Sequence, residues 1–172
     1  MTTQMEQLYQ QVILDHSRSR IGNSALLGDS ATGPHGYSHQ VNPTCGDEIE
    51  LEAELGADGT VSVRWMGDGC SISMASASVL TELAASATVP ELLEIEAAFH
   101  ELMHSRGTGE ADEEILGDAA AFQGVSKFPA RIKCALLAWM AFKDALGQAQ
   151  AGQAQAGTDA TADSASAENE EK

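Results

Sequence analysis

Residues 48–55 alternate without a break, setting Glu48, Glu50, Glu52 and Glu54 against Ile49, Leu51, Ala53 and Leu55. A period of two sends successive side chains to opposite faces, which is the pattern of a half-buried strand. Gly56-Ala57-Asp58-Gly59 then has turn chemistry. After it, Val61, Val63 and Trp65 alternate with Ser62, Arg64 and Met66. The stretch predicts an antiparallel hairpin, and a hairpin pairs residues equidistant from its turn. Cys45 and Cys70 are centred between Ala57 and Asp58, so both belong at its open end. A bulge shifts such pairing by a residue without separating the two. Asp47, two residues after Cys45, shares its face if the chain there is extended.

Helical signals surround the hairpin. Thr3 and Glu6 make a capping box, and Met5, Leu8, Tyr9, Val12 and Ile13 follow at helical spacing, predicting a helix over 4–17. Residues 18–36 are rich in Gly, Ser, Asn and Asp and read as loop, followed by a weaker strand signal over 37–41. Further helices are expected over 71–85, 90–104 and 110–116. The last starts at Pro129, a residue suited to a first helical turn, and ends at Gly147. Residues 148–172 carry no large apolar side chain. They bury too little to offset chain entropy and are expected to be a disordered acidic tail. The expected organisation is one domain over 1–147, in an α+β fold with a small antiparallel sheet packed against several α-helices.

The chain's 172 residues suffice for one domain with a real core. No apolar run approaches the eighteen or so residues that span a membrane. The N-terminus has no basic region leading into an apolar one, so a secretory signal is not expected and the cytoplasm is the default compartment. Charge is strongly negative, with 26 acids against 9 bases. Such a surface repels nucleic acid and anionic lipid, and suits solubility and a basic protein partner.

Three cysteines in a small chain of this kind point away from disulfides and toward metal or thiol chemistry. Cys70 and Cys134 both fall near expected helix N-termini, where free N–H groups favour thiolate. Arg131 and Lys133 lie beside Cys134 in sequence. Three thiolates and the Asp47 carboxylate make a donor set that suits four-coordinate Zn²⁺. Iron or a [2Fe–2S] cluster is the alternative occupant of so thiolate-rich a site.

Three blocks carry a family resemblance. Asn42-Pro43-Thr44-Cys45-Gly46-Asp47, Gly67-Asp68-Gly69-Cys70-Ser71-Ile72-Ser73, and the run from Phe128 through Cys134 to Trp139 resemble the signature blocks of SufU proteins, within the wider NifU/IscU-like group. The opening run from Leu8 to His16 is similar as well, and the likeness spans about 3–147. It implies a SufE/NifU-like fold and zinc on Cys45, Asp47, Cys70 and Cys134. It also implies a sulfurtransferase role in iron–sulfur cluster assembly by the SUF system. In that role Cys45 accepts persulfide sulfur from a pyridoxal-phosphate cysteine desulfurase of the SufS type and passes it to downstream SUF scaffold proteins. Exchange of Cys45 off the metal would free its thiolate, with Arg131 holding the rearranged site. Scaffold-type IscU proteins carry His immediately before the last Cys, whereas this chain has Lys133. That favours sulfur carrier over [2Fe–2S] scaffold.

One motif competes. His100-Glu101-Leu102-Met103-His104 matches the H-E-x-x-H pattern of zinc metalloproteases, with Glu113 or Glu114 as a conceivable third ligand. The helix carrying it ends at once at Ser105-Arg106-Gly107, and no further zincin signature follows. The plainer expectation is a solvent-facing helix end. His16, His35 and His39 read as capping or surface residues. Gly67-Asp68-Gly69 lacks the Gly-Lys-Ser/Thr ending of a phosphate loop and reads as a hinge leading to Cys70.

Overall fold

The computed structural model describes residues 3–167, with side chains through residue 156. The hairpin forms β2 (Asp47–Leu55) and β3 (Val61–Asp68), and the weaker signal becomes β1 (His35–Asn42). The strands make one antiparallel sheet in the order β1-β2-β3. Gly59, at φ +84°, closes the β2–β3 turn, in which Gly56 N–H donates to the Thr60 carbonyl at 2.9 Å. Glu48 faces Asp68, a register that sets Cys70 opposite Gly46, one residue from the expected pairing with Cys45.

Alternation fixes the layers. Ile49, Leu51, Ala53 and Leu55 of β2, with Val61, Val63 and Trp65 of β3, are all buried on one face. α2 (Ser71–Ser86) and α5 (Pro129–Ala167) cover that face, and α1 (Gln4–Ser19), α3 (Val89–His104) and the single turn α4 (Glu113–Leu116) pack around them. α5 lies across β1 and β2, α2 packs along β3, and α1 rests on α2. Gly36 lets α5 come this close, because a Cβ there would overlap the Ala145 carbonyl. Ser76 ties α2 to α5: it accepts from Trp139 Nε1 at 3.0 Å and donates to the Ala135 carbonyl at 2.6 Å. Phe99 stacks on Trp139 at 4.8 Å and meets Phe122 edge-on at 5.7 Å.

The outer face of the sheet departs from simple alternation. Glu52, on the face expected to meet water, is 2% exposed. The loop between α1 and β1 folds over it: Leu27 and Gly28 N–H groups donate to its carboxylate at 3.1 and 2.8 Å. Glu54 likewise accepts from the N–H groups of Gly33 and Thr32, at 2.8 and 3.1 Å. The glutamates that read as a solvated face therefore fasten a loop, satisfying its backbone donors where strands do not.

Two helical features differ from the sequence reading. α4 is followed by a 3₁₀ run, Gly117–Lys127, which no periodicity announces. And α5 continues past Gly147 to Ala167. Gly147 has open space around it, so it costs only about 1 kcal/mol relative to alanine in a helix, and the Ala- and Gln-rich stretch beyond it favours helix. Packing still stops near the expected boundary. Ala149 is buried, and residues 150–156 are all exposed. Residues 168–172, the end of the expected tail, lie outside the described residues.

Candidate metal centre

Asp47 is the first residue of β2 and shares the inward face of Ile49 and Leu51, so strand geometry turns its carboxylate into the protein, where it is 2% exposed. It arrives at the N-terminus of α2, whose N-cap is Cys70. Cys70 N–H donates to Asp47 Oδ1 at 3.1 Å, and Ser73 Oγ donates to Oδ2 at 2.5 Å. Gly69 makes room for this approach, since a Cβ there would lie 2.8 Å from Asp47 Oδ1. A Cβ on Gly67 would overlap the Glu48 carbonyl. These glycines allow close packing and are not the hinge expected from sequence: Gly67 and Asp68 belong to β3 itself.

Cys45 sits in the four-residue turn between β1 and β2, where Cys45 and Gly46 N–H both donate to the Asn42 carbonyl, at 3.3 and 2.8 Å. Gly46 takes φ +74°. The chain here is turned rather than extended, so Cys45 is exposed while Asp47 is buried. Cys134 enters from α5 and is fully buried. Its Sγ lies 3.6 Å from Cys45 Sγ and receives the Asn42 side-chain amide at 3.7 Å.

The ligand atoms of Cys45, Asp47 and Cys134 all lie within 4.8 Å of one another. Cys70 meets this group through Asp47, with Sγ 3.5 Å from Oδ2, and stands outside the mutual 4.8 Å span. A tetrahedral zinc with Zn–S near 2.3 Å and Zn–O near 2.0 Å has S···S edges of about 3.8 Å and S···O edges of about 3.5 Å. The Cys45–Cys134 and Cys70–Asp47 separations match two of those edges; Cys45, Asp47 and Cys134 are donors of the type zinc takes, and Cys70 would have to draw closer to complete four-coordination.

Electrostatics separates the ligands. Burial raises the Asp47 carboxyl, but hydrogen bonds from Ser73, Cys134 and Cys70 outweigh it and hold Asp47 below the usual carboxylate range. Burial above all, then the Asp47 carboxylate and the Cys45 thiol, push Cys134 far above the usual thiol range. The thiolate expected at Cys134 from a helix N-terminus is thus corrected for the metal-free chain. Cys134 lies beyond the first turn of α5, where the dipole has faded and desolvation dominates.

Other expected residues fall elsewhere. Arg131 is exposed and lines a groove between α1 and the 3₁₀ run, with no ion pair among the described residues. Lys133 is exposed as well. The His100 and His104 rings lie 4.2 Å apart, tilted by 31°, on the exposed end of α3, and among the described residues no third ligand joins them. Glu113, the conceivable third ligand, instead accepts from Tyr9 O–H at 2.5 Å. His16 is buried between α1, α2 and the 3₁₀ run, with Nδ1 2.8 Å from Ser78 Oγ and Nε2 3.0 Å from Asp118 Oδ2. It fastens elements together and does not approach the cysteines. His39 pairs with Glu48 across β1 and β2.

Sequence reasoning assigned no role to Ser73 or Asn42. Ser73 follows the Cys70 N-cap by three residues, a spacing that sets its hydroxyl beside the cap, and this was the available signal. Asn42 became visible only once β1 was seen to end there.

The sequence model of the NifU-like N-terminal domain matches residues 8–135. The zinc-dependent sulfurtransferase SufU of Bacillus subtilis is 40% identical over 149 residues, covering 86% of this chain and 95% of that protein. The iron–sulfur cluster assembly scaffold protein IscU of Streptococcus pyogenes is 35% identical over 144 residues, covering 84% and 86%. A proposed iron–sulfur cluster assembly scaffold protein for the SUF system from Fervidobacterium islandicum has a similar crystal structure, with TM-score 0.68 and 30% identity over 81% of this chain and 97% of that one.

Proposed function

The chain belongs to the NifU-like N-terminal domain family, as an iron–sulfur cluster assembly protein of the SufU/IscU type, and we propose that it works there as a zinc-dependent sulfur carrier. Cys45, Asp47, Cys70 and Cys134 hold the zinc in this reading. Cys45 takes the terminal sulfur of a persulfide formed on a SufS-type, pyridoxal-phosphate cysteine desulfurase and passes it to downstream SUF scaffold proteins. The observation that carries the proposal is the contrast within the cluster: Cys45 is exposed on a turn, whereas Asp47 and Cys134 are buried. Cys45 is the most open of the four, Cys70 is half-buried, and Asp47 and Cys134 are enclosed.

Zinc, when bound, supplies a redox-inert positive charge that keeps cysteine sulfur deprotonated at neutral pH. The chain's own residues do the rest. The Cys45 thiolate attacks the outer sulfur of the donor persulfide, a new S–S bond forms on Cys45, the donor's S–S bond breaks, and the donor leaves as a thiolate. No electrons enter or leave. Asp47, held ionised by Ser73 and the Cys70 N–H, keeps a fixed negative ligand in place while Cys45 is engaged. Arg131, one helical turn before Cys134 on α5, is the cation proposed to hold the site once Cys45 is engaged. Among the described residues no helix is long and apolar enough to cross a membrane, and we assign the reaction to the cytoplasm.

The test has two parts. The purified protein is expected to carry one zinc, lost on Cys70→Ala and retained on His100→Ala. Added to a SufS-type desulfurase with cysteine, it is expected to accelerate turnover. No stimulation of any such desulfurase contradicts the proposal. The identity to scaffold proteins supports a second reading, a nascent [2Fe–2S] cluster on the same ligands. It requires a brown protein with visible absorbance in place of a colourless zinc protein.

A further inference from the structure

A groove of about 690 Å³ runs between α1 and the 3₁₀ run, close to the cysteine cluster. Ile13, Ile72 and Val125 contribute to its floor. Leu14 and Phe128, which also line it, are 41% and 59% exposed. Large apolar side chains gain by leaving water, so two left open beside a groove mark a surface that gains by being covered.

Two observations say what covers it. The first is continuity with the site: Ile72 follows Cys70 by two residues, and Arg131 lies on the groove one helical turn before Cys134. The groove therefore shares α2 and α5 with two of the three thiols. The second is charge. The chain as a whole carries −17, yet three of its nine basic residues, Lys127, Arg131 and Lys133, fall within seven positions. Lys127 and Arg131 both line the groove, and Glu6 is its only acidic lining residue. Glu6 closes the capping box on Thr3 N–H at 2.7 Å and keeps its charge, part of which meets that of Lys127. Among the described residues neither Lys127 nor Arg131 has an ion-pair partner.

We propose that this groove is the seat of the persulfide-donating desulfurase, and that the partner presents to it an apolar side chain flanked by carboxylates; this rests on the sulfur-carrier reading above. The acidic body alone suits a basic partner. Lys127 and Arg131 relieve that sign locally, so an acidic contact point is favoured at the groove over the strongly negative body, and orientation as well as attraction is specified.

Binding of the full-length chain to a SufS-type desulfurase, measured by titration calorimetry at several salt concentrations, tests this. Leu14→Ser and Phe128→Ser are each expected to weaken binding tenfold or more while retaining zinc, and Lys127→Glu to weaken it and flatten its salt dependence. Met140→Ser, another exposed apolar position on α5, is expected to bind as the wild type. Groove variants that bind the desulfurase normally overturn the docking site and leave the sulfur-carrier reading intact. Groove variants that alter only self-association in sedimentation overturn it in favour of a second copy of this chain. A wild-type protein that binds no desulfurase overturns both.

Discussion

At the residue scale the site is organised by a carboxylate. Asp47 accepts from a backbone N–H, a serine hydroxyl and thiols, and these donors outweigh the burial that would otherwise neutralise it. A metal ligand supported in this way loses orientation when its supports are removed, and such losses cost roughly ten- to a hundredfold in affinity. Ser73→Ala is therefore expected to weaken zinc retention by about tenfold, measured by competition with a chromogenic chelator, while the fold is kept. Unchanged retention would show that the Ser73 hydroxyl is dispensable to Asp47. Cys134 makes the complementary point. Burial keeps its proton on in the absence of a cation, so metal binding has to expel that proton, and the chain is expected to release protons as it takes up zinc.

At the scale of elements, the long α1–β1 loop is held by two glutamates of β2. Backbone N–H from Gly33 is the largest influence on Glu54 and lowers its pKa; burial opposes it, and Thr32 adds to the lowering. A group depressed in the folded state adds stability above its unfolded value and loses it as pH falls through the folded value. Glu54→Gln is thus expected to lower stability at neutral pH, by less than about 1 kcal/mol for so exposed a group, and to match the wild type at strongly acid pH. Hydrogen exchange at Thr32 and Gly33 reads this locally, and a constant difference at all pH values would contradict it. The same glutamates show the limit of reading the sequence. Strict alternation located β2 and β3. It could not tell that Glu52 faces a folded-back loop, because side-chain period reports a face and not what covers it. Cys45 was located to the right end of the hairpin but on the wrong geometry, since the turn through Gly46 is set by β1, whose pattern is weak. The 3₁₀ run was invisible because its alanines and glycines carry no periodicity. Of the four residues expected as ligands, Cys45, Asp47 and Cys134 lie within 4.8 Å of one another, and Cys70 touches Asp47.

At the scale of the whole molecule, everything that positions the cluster lies before the last stretch of α5. Ala149 is buried, and Gln148 clasps the β1 edge by bonding both Tyr37 N–H and its carbonyl, at 3.1 and 2.8 Å. A chain ending after Ala149 is expected to unfold at the same denaturant midpoint as the full protein and to bind zinc equally; a cut after Gly147, which removes that clasp, is expected to be less stable. The chain as a whole carries a net charge of −17, against which the basic lining of the groove stands out. The central claim is that Cys45 is the residue that receives sulfur. Mass spectrometry of the protein after reaction with desulfurase and cysteine tests it most directly. One added sulfur on the peptide containing Cys45, absent in Cys45→Ala, is the predicted result. An added sulfur on Cys70 or Cys134, or full sulfur transfer by Cys45→Ala, would contradict it.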